Sequence, residues 1–147
     1  MAANELSTAR WFEASGDEIY EAFQNPECLA RWWGPVGFTS TFHSFEFEPG
    51  GEWKFTMHSP QGADFPNESR FVELIPGKRV VIEHVCAPYF TLFIDLTPSG
   101  NGTRLSWVGR FRTVEECERV RKFAGPANEE NLDRLAAELD VRSEPVS

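Results

Sequence analysis

The first third of the chain predicts one strand followed by two short helices. Residues 6–12 have the pattern of a short strand, and the capping-box spacing at 15–18 predicts a helix over about residues 16–24. Asn25-Pro26 predicts the start of a second short helix, which carries two tryptophans. Gly34-Pro35 then ends that helix.

The middle of the chain, residues 36–111, has the alternating pattern of half-buried antiparallel strands. Turn sequences rich in proline and glycine divide it into about six strands, one of them predicted over residues 70–75. Four other strands place a set of residues on one face, because successive side chains point to opposite sides. The four sets are Trp53, Phe55 and Met57; Val80, Ile82, His84 and Cys86; Phe90, Leu92, Ile94 and Leu96; and Leu105, Trp107, Gly109 and Phe111.

The last part of the chain has a helical pattern. A second capping box at 113–116 predicts the start of a helix, which Gly125-Pro126 is expected to break. The successor helix carries an apolar stripe to about Asp140, and residues 141–147 are expected to form a frayed tail. The stripe consists of Leu132, Leu135, Ala136 and Leu139.

This order of elements, with helices segregated from a run of strands, predicts an α+β fold. We expect one domain over residues 5–140, since a chain of 147 residues matches the usual size of a single domain. A long curved sheet that closes round the final helix leaves a space between them. Either side chains or a ligand can fill that space.

Charge and cysteine content argue against several kinds of partner. The chain has 14 Lys and Arg against 23 Asp and Glu, a net charge of −9, which disfavours nucleic acid and an anionic membrane surface. No apolar run approaches the roughly 20 residues that cross a bilayer, and the first residues lack the pattern of a secretory signal. Three widely spaced cysteines match neither a disulfide framework nor a metal motif. We therefore expect a cytoplasmic protein.

Aromatic residues are the most informative part of the composition. There are 13 Phe, 5 Trp and 2 Tyr, and only Phe123 follows residue 113. Those on the inward strand faces form either a filled core or the lining of an apolar pocket, and the residues alone leave both open. The predicted lining is Trp33, Phe38, Phe45, Trp53, Phe55, Met57, Phe90, Leu92, Trp107 and Phe111, with His43 and His84 to orient a ligand.

A linked series of motifs points to a family. In chain order it comprises Trp32-Trp33-Gly34-Pro35, Pro49-Gly50-Gly51-Glu52-Trp53-Lys54-Phe55, Met57-His58-Ser59-Pro60, Pro66-Asn67-Glu68, Glu73-Leu74-Ile75-Pro76-Gly77-Lys78-Arg79-Val80, Gly102-Thr103-Arg104-Leu105 and Leu132-Asp133-Arg134-Leu135. Over residues 8–140 the series resembles the bacterial activator of heat-shock-protein-90 ATPase homologue family. That family belongs to the START, polyketide-cyclase and birch-pollen-allergen superfamily (SRPBCC).

The resemblance implies a helix-grip fold with two short helices after the first strand. A curved antiparallel sheet of six to seven strands would then wrap around a long C-terminal helix, with a cavity between them. Many relatives have Gly-Trp shortly before the segment that begins at Leu132, where this chain has Ala127-Asn128. The resemblance therefore implies a different cavity wall at that end.

Three histidines are candidates for chemistry near neutral pH. Strand parity places His84 inward, His43 on the face of Phe45 and Phe47, and His58 outward. A shared three-histidine metal site is therefore not expected, and His84 is either a core histidine or a cavity contact. The chain has no Gly-x-Ser-x-Gly, phosphate-loop or His-Glu-x-x-His motif, and we expect neither a metal nor a cofactor.

Glu68 and His84 are the candidates for a general acid or base. Glu68 and Arg70 share the face of Val72 by parity, which makes a charge pair the expected arrangement and a buried pair conceivable. Cys86 lies two residues beyond His84, about 7 Å along an ideal strand, so no direct hydrogen bond between the two is expected.

These observations lead to three functional hypotheses. The first is a protein that binds a small hydrophobic or aromatic molecule between the sheet and the final helix. The second is an enzyme of the cyclase or hydrolase kind that uses a cavity histidine or carboxylate. The third is a protein-interaction module that acts on a chaperone or as a homodimer, because the region from Thr113 onward has nine acids against five bases.

Overall fold

The computed structural model describes residues 3–143, and for residues 141–143 the backbone alone. Within this part of the chain, seven strands and three helices follow one another. They are β1 (Glu5–Phe12), α1 (Gly16–Gln24), α2 (Pro26–Trp32), β2 (Thr39–Phe45), β3 (Glu52–His58), β4 (Asp64–Ile75), β5 (Arg79–His84), β6 (Phe90–Ser99), β7 (Gly102–Phe111) and α3 (Val114–Ser143). The predicted α+β class and the order of elements are confirmed.

All seven strands form one antiparallel sheet in the order β1-β7-β6-β5-β4-β3-β2. Strands β2 to β7 are joined as consecutive hairpins, whereas β1 crosses to the far edge and pairs with β7, with Glu5 opposite Arg110. Helix α3 packs against β1 and β7 and against the two short helices. The sheet therefore curves around one long C-terminal helix, and the helix-grip arrangement implied by the resemblance is confirmed.

The two short helices begin at the predicted caps. The Ser15 hydroxyl accepts a hydrogen bond from the Glu18 amide, and the Glu18 carboxylate accepts one from the Ser15 amide, which completes the capping box. The Asn25 side chain accepts from the first amides of α2, and Pro26 occupies the first turn, where its missing N–H is no loss. The Trp32 indole donates to the Ala22 carbonyl and holds the two helices together.

The predicted break at Gly125-Pro126 is wrong, because α3 runs through both residues as one helix. Pro126 has no N–H for the carbonyl four residues earlier, and such a site costs roughly 3 kcal/mol in a helix interior. Pro126 is exposed, so water can reach the freed carbonyl, and fully buried residues on either side, Cys117 and Leu132, hold the axis. The helix extends to Ser143, beyond the predicted end, and residues 144–147 of the expected tail lie outside the described part.

Two irregularities change which side of the sheet a residue faces. Strand β4 begins at Asp64, six residues before the predicted start, and its pairing with β5 shifts between Phe71 and Glu73. Strand β2 has a similar shift between Phe42 and Ser44. A bulge of this kind inserts one residue into a strand and reverses its alternation from there on, so parity predictions fail beyond it.

A closely packed aromatic core fills the part of the grip under α1, α2 and the second half of α3. Trp32, Trp53 and Phe71 are fully buried there, and the Trp53 and Phe71 rings stack with centroids 5.8 Å apart. Leu132 and Leu135 of α3 belong to the same buried cluster and are 0 % exposed. The predicted apolar stripe of the last helix thus packs against this core and covers it.

Candidate functional site

A cavity of about 200 Å³ lies between the sheet and the first half of α3. Inward-facing residues of β1, β3, β6 and β7 form one side, and α3 forms the other, with the segments around Gly34 and Pro88 at the rim. Its lining consists of Leu6, Trp33, Gly34, Pro35, Met57, Pro88, Phe90, Leu92, Trp107, Gly109, Phe111, Val120, Ala124, Ala127, Asn128 and Asn131. Apart from the indole N–H groups of the two tryptophans, the two asparagines supply the nitrogen and oxygen atoms among these side chains.

Half of the predicted pocket residues line this cavity. They are Trp33, Met57, Phe90, Leu92, Trp107 and Phe111. Trp53 and Phe55 also face inward, but they are buried in the aromatic core. Phe45 packs against that core, and Phe38 lies beside Phe65 with ring centroids 6.3 Å apart. Parity therefore identifies the inward face of a strand but not where along that face close packing gives way to open space.

The cavity exists because small residues face one another across it, which the sequence analysis did not predict. Gly109 lies on the inward face of β7, between Trp107 and Phe111, and leaves the volume of a side chain empty. Ala124 and Ala127 line the opposite wall on α3. A glycine within an inward aromatic set, opposite alanines on the covering helix, was the available signal.

Two asparagines on α3 have different roles. Asn131 is 6 % exposed, and its amide accepts from the Gly34 amide and donates to the Trp32 carbonyl, so its hydrogen-bonding capacity is used by the fold. Asn128, one turn earlier, also lines the cavity, and its amide makes no hydrogen bond to any other residue between 3 and 143. Asn128 therefore offers a donor and an acceptor at an otherwise apolar wall.

Arg134 fixes the rim segment on α3. Its guanidinium donates to the carbonyls of Arg31, Trp33, Gly34 and Pro35 at 2.6–3.1 Å. Burial lowers the pKa of this group, but a guanidinium remains charged at any physiological pH. These hydrogen bonds attach the segment that ends α2 to α3. They thereby hold Trp33 in place at the cavity.

His84 lies behind the cavity wall. Its ring stacks on Phe90, with centroids 4.8 Å apart, and Phe90 lines the cavity. Nδ1 donates to the Pro88 carbonyl at 2.7 Å, because a carbonyl can only accept. Burial lowers the pKa of His84, and hydrogen bonds at Pro88 and Cys86 oppose this in part. The ring is therefore neutral near pH 7, with its lone pair on Nε2, and of the two predicted placements it occupies that of a bonded core histidine.

The expected separation of Cys86 and His84 is wrong. Strand β5 ends at His84, and the chain beyond it leaves the extended conformation, which brings Cys86 Sγ to 3.6 Å from His84 Nε2. The estimate of about 7 Å assumed that the strand continued through Cys86. The two side chains are therefore within hydrogen-bond distance for a sulfur atom.

The other two histidines lie on the outer face. His43 is exposed, and its Nε2 lies 2.8 Å from the Thr56 hydroxyl. Its predicted inward orientation is wrong, because His43 is the unpaired residue of the bulge in β2 and therefore does not share the face of Phe45. His58 faces outward as predicted, between Thr41 and Asp64. Within residues 3–143 no group of three or more His, Cys, Asp or Glu side chains is arranged to hold a metal ion.

Glu68 is exposed and lies away from the cavity, so a buried Glu68–Arg70 pair does not form. Arg70 forms its salt bridge with Glu83 on the neighbouring strand β5 instead. Glu68, Arg70 and Val72 do share one face, but it is the exposed one, since Ser69 and Phe71 between them are buried. The bulge after Phe71 returns Leu74 to the core side, so Leu74 does not share that face. The carboxylates of Glu68 and Glu83 are both on the solvent side of the sheet.

Comparison with known proteins places the chain in a family. Residues 13–140 match the family described as Activator of Hsp90 ATPase homolog 1-like protein. The chain belongs to this family. No curated protein matches it, and no helix within residues 3–143 is long and apolar enough to cross a membrane.

Solved structures of similar fold come from several bacteria. A crystal structure of a protein from Nitrosomonas europaea has a TM-score of 0.89 at 21% identity, covering 97% of this chain and 98% of that one. A protein from Chromobacterium violaceum has a TM-score of 0.83 at 25% identity, with 91% and 96% covered. An AHSA1 protein from Silicibacter pomeroyi has a TM-score of 0.74 at 19% identity, with 94% and 99% covered. At these identities the likeness supports a shared fold.

The two positions at which the resemblance implies Gly-Trp lie at the cavity wall. Ala127 and Asn128, which stand where the resemblance implies Gly-Trp, both line the cavity. A side chain smaller than Trp at position 128 leaves part of the space near α3 unfilled.

Proposed function

We propose that this protein binds a small apolar or aromatic molecule in the cavity between the sheet and α3. The observation that carries the proposal is an unfilled volume of about 200 Å³ beside a core that is otherwise closely packed. An apolar cavity of about 150 Å³ is large enough to bind benzene. The volume here therefore suits a molecule with one ring or two small fused rings.

The wall chemistry narrows the ligand class further. Most of the lining is aromatic, aliphatic or glycine, and Trp33 and Trp107 lie with ring centroids 5.7 Å apart. The Asn128 amide, which makes no hydrogen bond to another residue between 3 and 143, supplies a donor and an acceptor at this wall. A ligand with an apolar body and a single hydroxyl or carbonyl group meets both features, since few polar groups orient a ligand in such sites.

The enzyme hypothesis lacks a matching observation in the cavity. None of its lining residues is a His, Asp, Glu, Lys, Arg, Cys or Tyr, so the wall itself supplies no general acid or base. The candidate His84 is separated from the space by the Phe90 ring, and Glu68 faces solvent. The chaperone or homodimer interaction and the cytoplasmic location stay predictions from the sequence.

Binding can be tested with two fluorinated probes observed by fluorine NMR, fluorobenzene and fluorophenol. We expect saturable binding to the wild-type protein and loss of binding in Ala124→Leu, which fills the cavity from α3. Ala137→Leu is the matched control, because it makes the same change at an exposed position of the same helix. Equal probe signals from all three proteins would mean that the cavity is not the site.

The role of Asn128 has its own test. Replacing Asn128 by Leu removes the hydrogen-bonding group and keeps a side chain of similar size. We expect fluorophenol to bind several-fold more weakly and fluorobenzene to bind as well as before, since a lost hydrogen bond is worth about 1 kcal/mol. Native mass spectrometry of freshly purified protein complements this, because a retained small molecule would identify the natural ligand.

A further inference from the structure

We propose that Cys86 and His84 form a reactive thiol–imidazole pair that exchanges with low-molecular-weight disulfides. The pair lies at the end of β5, outside the cavity lining. The inference therefore does not depend on the proposed ligand, and either can fail without the other.

The sulfur has two neighbours suited to a nucleophile. Cys86 Sγ lies 3.6 Å from His84 Nε2, the ring nitrogen that carries the lone pair. The backbone N–H of Glu68 points at the same sulfur from β4, at 3.5 Å, and is nearer to it than the Glu68 carbonyl oxygen, which accepts from the thiol at 3.9 Å. An imidazole that removes the thiol proton, and a backbone donor that stabilises the resulting negative charge, are the two features that activate a cysteine.

The imidazole is held in the required orientation. Its Nδ1–H donates to the Pro88 carbonyl at 2.7 Å, and its face stacks on Phe90. These two contacts fix the plane of the ring, which places Nε2 beside both Asn67 Oδ1, at 2.8 Å, and Cys86 Sγ, at 3.6 Å. Activated cysteines and serines in proteins commonly combine the nucleophile with a base and with a third group that orients the base.

Asn67 favours the ring state that follows proton transfer. Its amide Nδ2 donates to the Phe65 carbonyl at 2.8 Å, which sets the orientation of the side chain. Oδ1 then lies 2.8 Å from His84 Nε2. An oxygen at that distance is unfavourable against a lone pair and favourable against an N–H, so Asn67 stabilises the imidazolium once His84 has taken the thiol proton.

The three cysteines differ in access. Cys28 is 2 % and Cys117 0 % exposed, whereas Cys86 is half-buried. Of the three, Cys86 is therefore the cysteine that reagents in solution should reach first in the folded protein. This difference makes the reactivity of the pair measurable without removing the other two thiols.

The reaction balances without a further oxidant. The Cys86 proton passes to His84 Nε2, and the sulfur attacks one sulfur of the incoming disulfide. A new S–S bond forms between Cys86 and that sulfur while the bond within the disulfide breaks. The departing thiolate carries the electron pair and takes up the proton held by His84. Cys86 is thereby oxidised to a mixed disulfide, and half of the reagent is reduced to a thiol.

Dithiodipyridine tests the proposal, because the released thiopyridone is coloured and can be followed continuously. We expect the folded protein to release one equivalent rapidly, with a second-order rate constant above that of free glutathione at the same pH. Peptide mass spectrometry should place the adduct on Cys86, and Cys86→Ser should abolish the fast phase. A fast phase on another cysteine, or a rate constant no greater than that of free glutathione, overturns the proposal.

The imidazole contribution is isolated by His84→Gln, which we expect to slow the reaction on the order of tenfold or more. Asn67→Ala is the second variant and should give a smaller decrease, so the test survives if His84→Gln folds poorly. Near-ultraviolet circular dichroism verifies the fold of each variant, and all proteins should react alike in denaturant. Unchanged rates in folded His84→Gln or folded Asn67→Ala mean that exposure alone governs Cys86.

Discussion

The two halves of α3 cover the same sheet and bury it differently. The second half places Leu132, Leu135 and Leu139 into the aromatic core, with at most 6 % of any of them exposed. The first half places Val120 and Ala124 over Leu92, Trp107 and Gly109 and leaves a cavity. The last cavity residue of the helix is Asn131 and the first of the buried leucines is Leu132, so the boundary falls between these two residues.

The difference shows how one continuous helix serves two purposes. Large side chains on both helix and sheet interdigitate at one end and supply stability, since burying one leucine is worth about 2 kcal/mol. At the other end Ala124 and Ala127 of the helix and Gly109 of the sheet give up that stabilisation and keep space open. We therefore expect substitutions in the second half of α3 to change mainly the free energy of unfolding. Substitutions in the first half should change mainly ligand binding.

The largest expected effect comes from truncating a leucine in the packed half. Leu135→Ala should lower the free energy of unfolding by about 2–5 kcal/mol, because it opens a new void in a fully buried cluster. Val120→Ala, in the wall of the existing cavity, should cost about 1 kcal/mol or less, since fewer contacts are lost. Urea unfolding of both variants checks this, and equal losses would contradict the division of α3 into two halves.

A smaller effect is expected at the side chain that ties the rim segment to α3. Arg134→Gln removes the guanidinium that donates to four carbonyls, and we expect a loss of about 2 kcal/mol. Arg134→Lys keeps the charge but not the planar fork and should recover only part of it. Thermal unfolding gives the stability. Faster amide exchange at Gly34 in both variants would confirm that the rim is released.

Filling the cavity from the sheet should stabilise the protein slightly. Gly109 has a backbone that any residue can adopt, and an added Cβ would meet its nearest neighbours at 3.7 and 3.8 Å, which is ordinary contact. Gly109→Val should therefore raise the free energy of unfolding by about 0.5–1 kcal/mol and abolish binding of fluorobenzene. Destabilisation with intact binding would show that the residue is not a cavity wall.

The smallest expected effect is the pH dependence of stability that comes from His84, the buried ring behind the cavity wall. Because burial lowers the pKa of His84 in the folded protein, the unfolded chain binds a proton at a pH where the native protein does not. This contribution to stability is complete above the unfolded pKa of about 6.5 and is lost as the pH falls from there towards the folded value. His84→Gln should lose less stability between pH 7.5 and 5.5 than the wild type, as chemical unfolding at both pH values would report.

Much of the fold could be predicted from the sequence because its signals are local. The capping boxes at Ser15 and Thr113 and the alternating strands each depend on neighbouring residues. The break at Gly125-Pro126 was wrongly predicted because the compensation is tertiary, from residues that anchor α3 on both sides. The orientation of His43 was wrongly predicted for a similar reason, because a bulge depends on the pairing of two strands.

The candidate site was predictable only in part. Parity found the wall residues Phe90, Leu92 and Trp107, yet it also assigned Trp53 and Phe55, which are packed in the core. Whether an inward residue lines the cavity or packs in the core depends on its position across the sheet and on the size of the α3 residues that cover it. The sequence of a single strand contains neither piece of information. The contact between Cys86 and His84 was missed because it depends on where β5 ends.

The position of β1 at the sheet edge has a consequence for how the cavity comes into being. Strands β2 to β7 can pair as successive hairpins, whereas β1 must wait for β7, about a hundred positions away, and is then covered by α3 through Arg10 with Glu129 and Asp133. Contacts of such long sequence separation close late in folding. The wall formed by α3, which covers β1 in turn, is thus the last to arrive. In refolding experiments a cavity probe should bind only in the final phase, as a reporter of the completed chain.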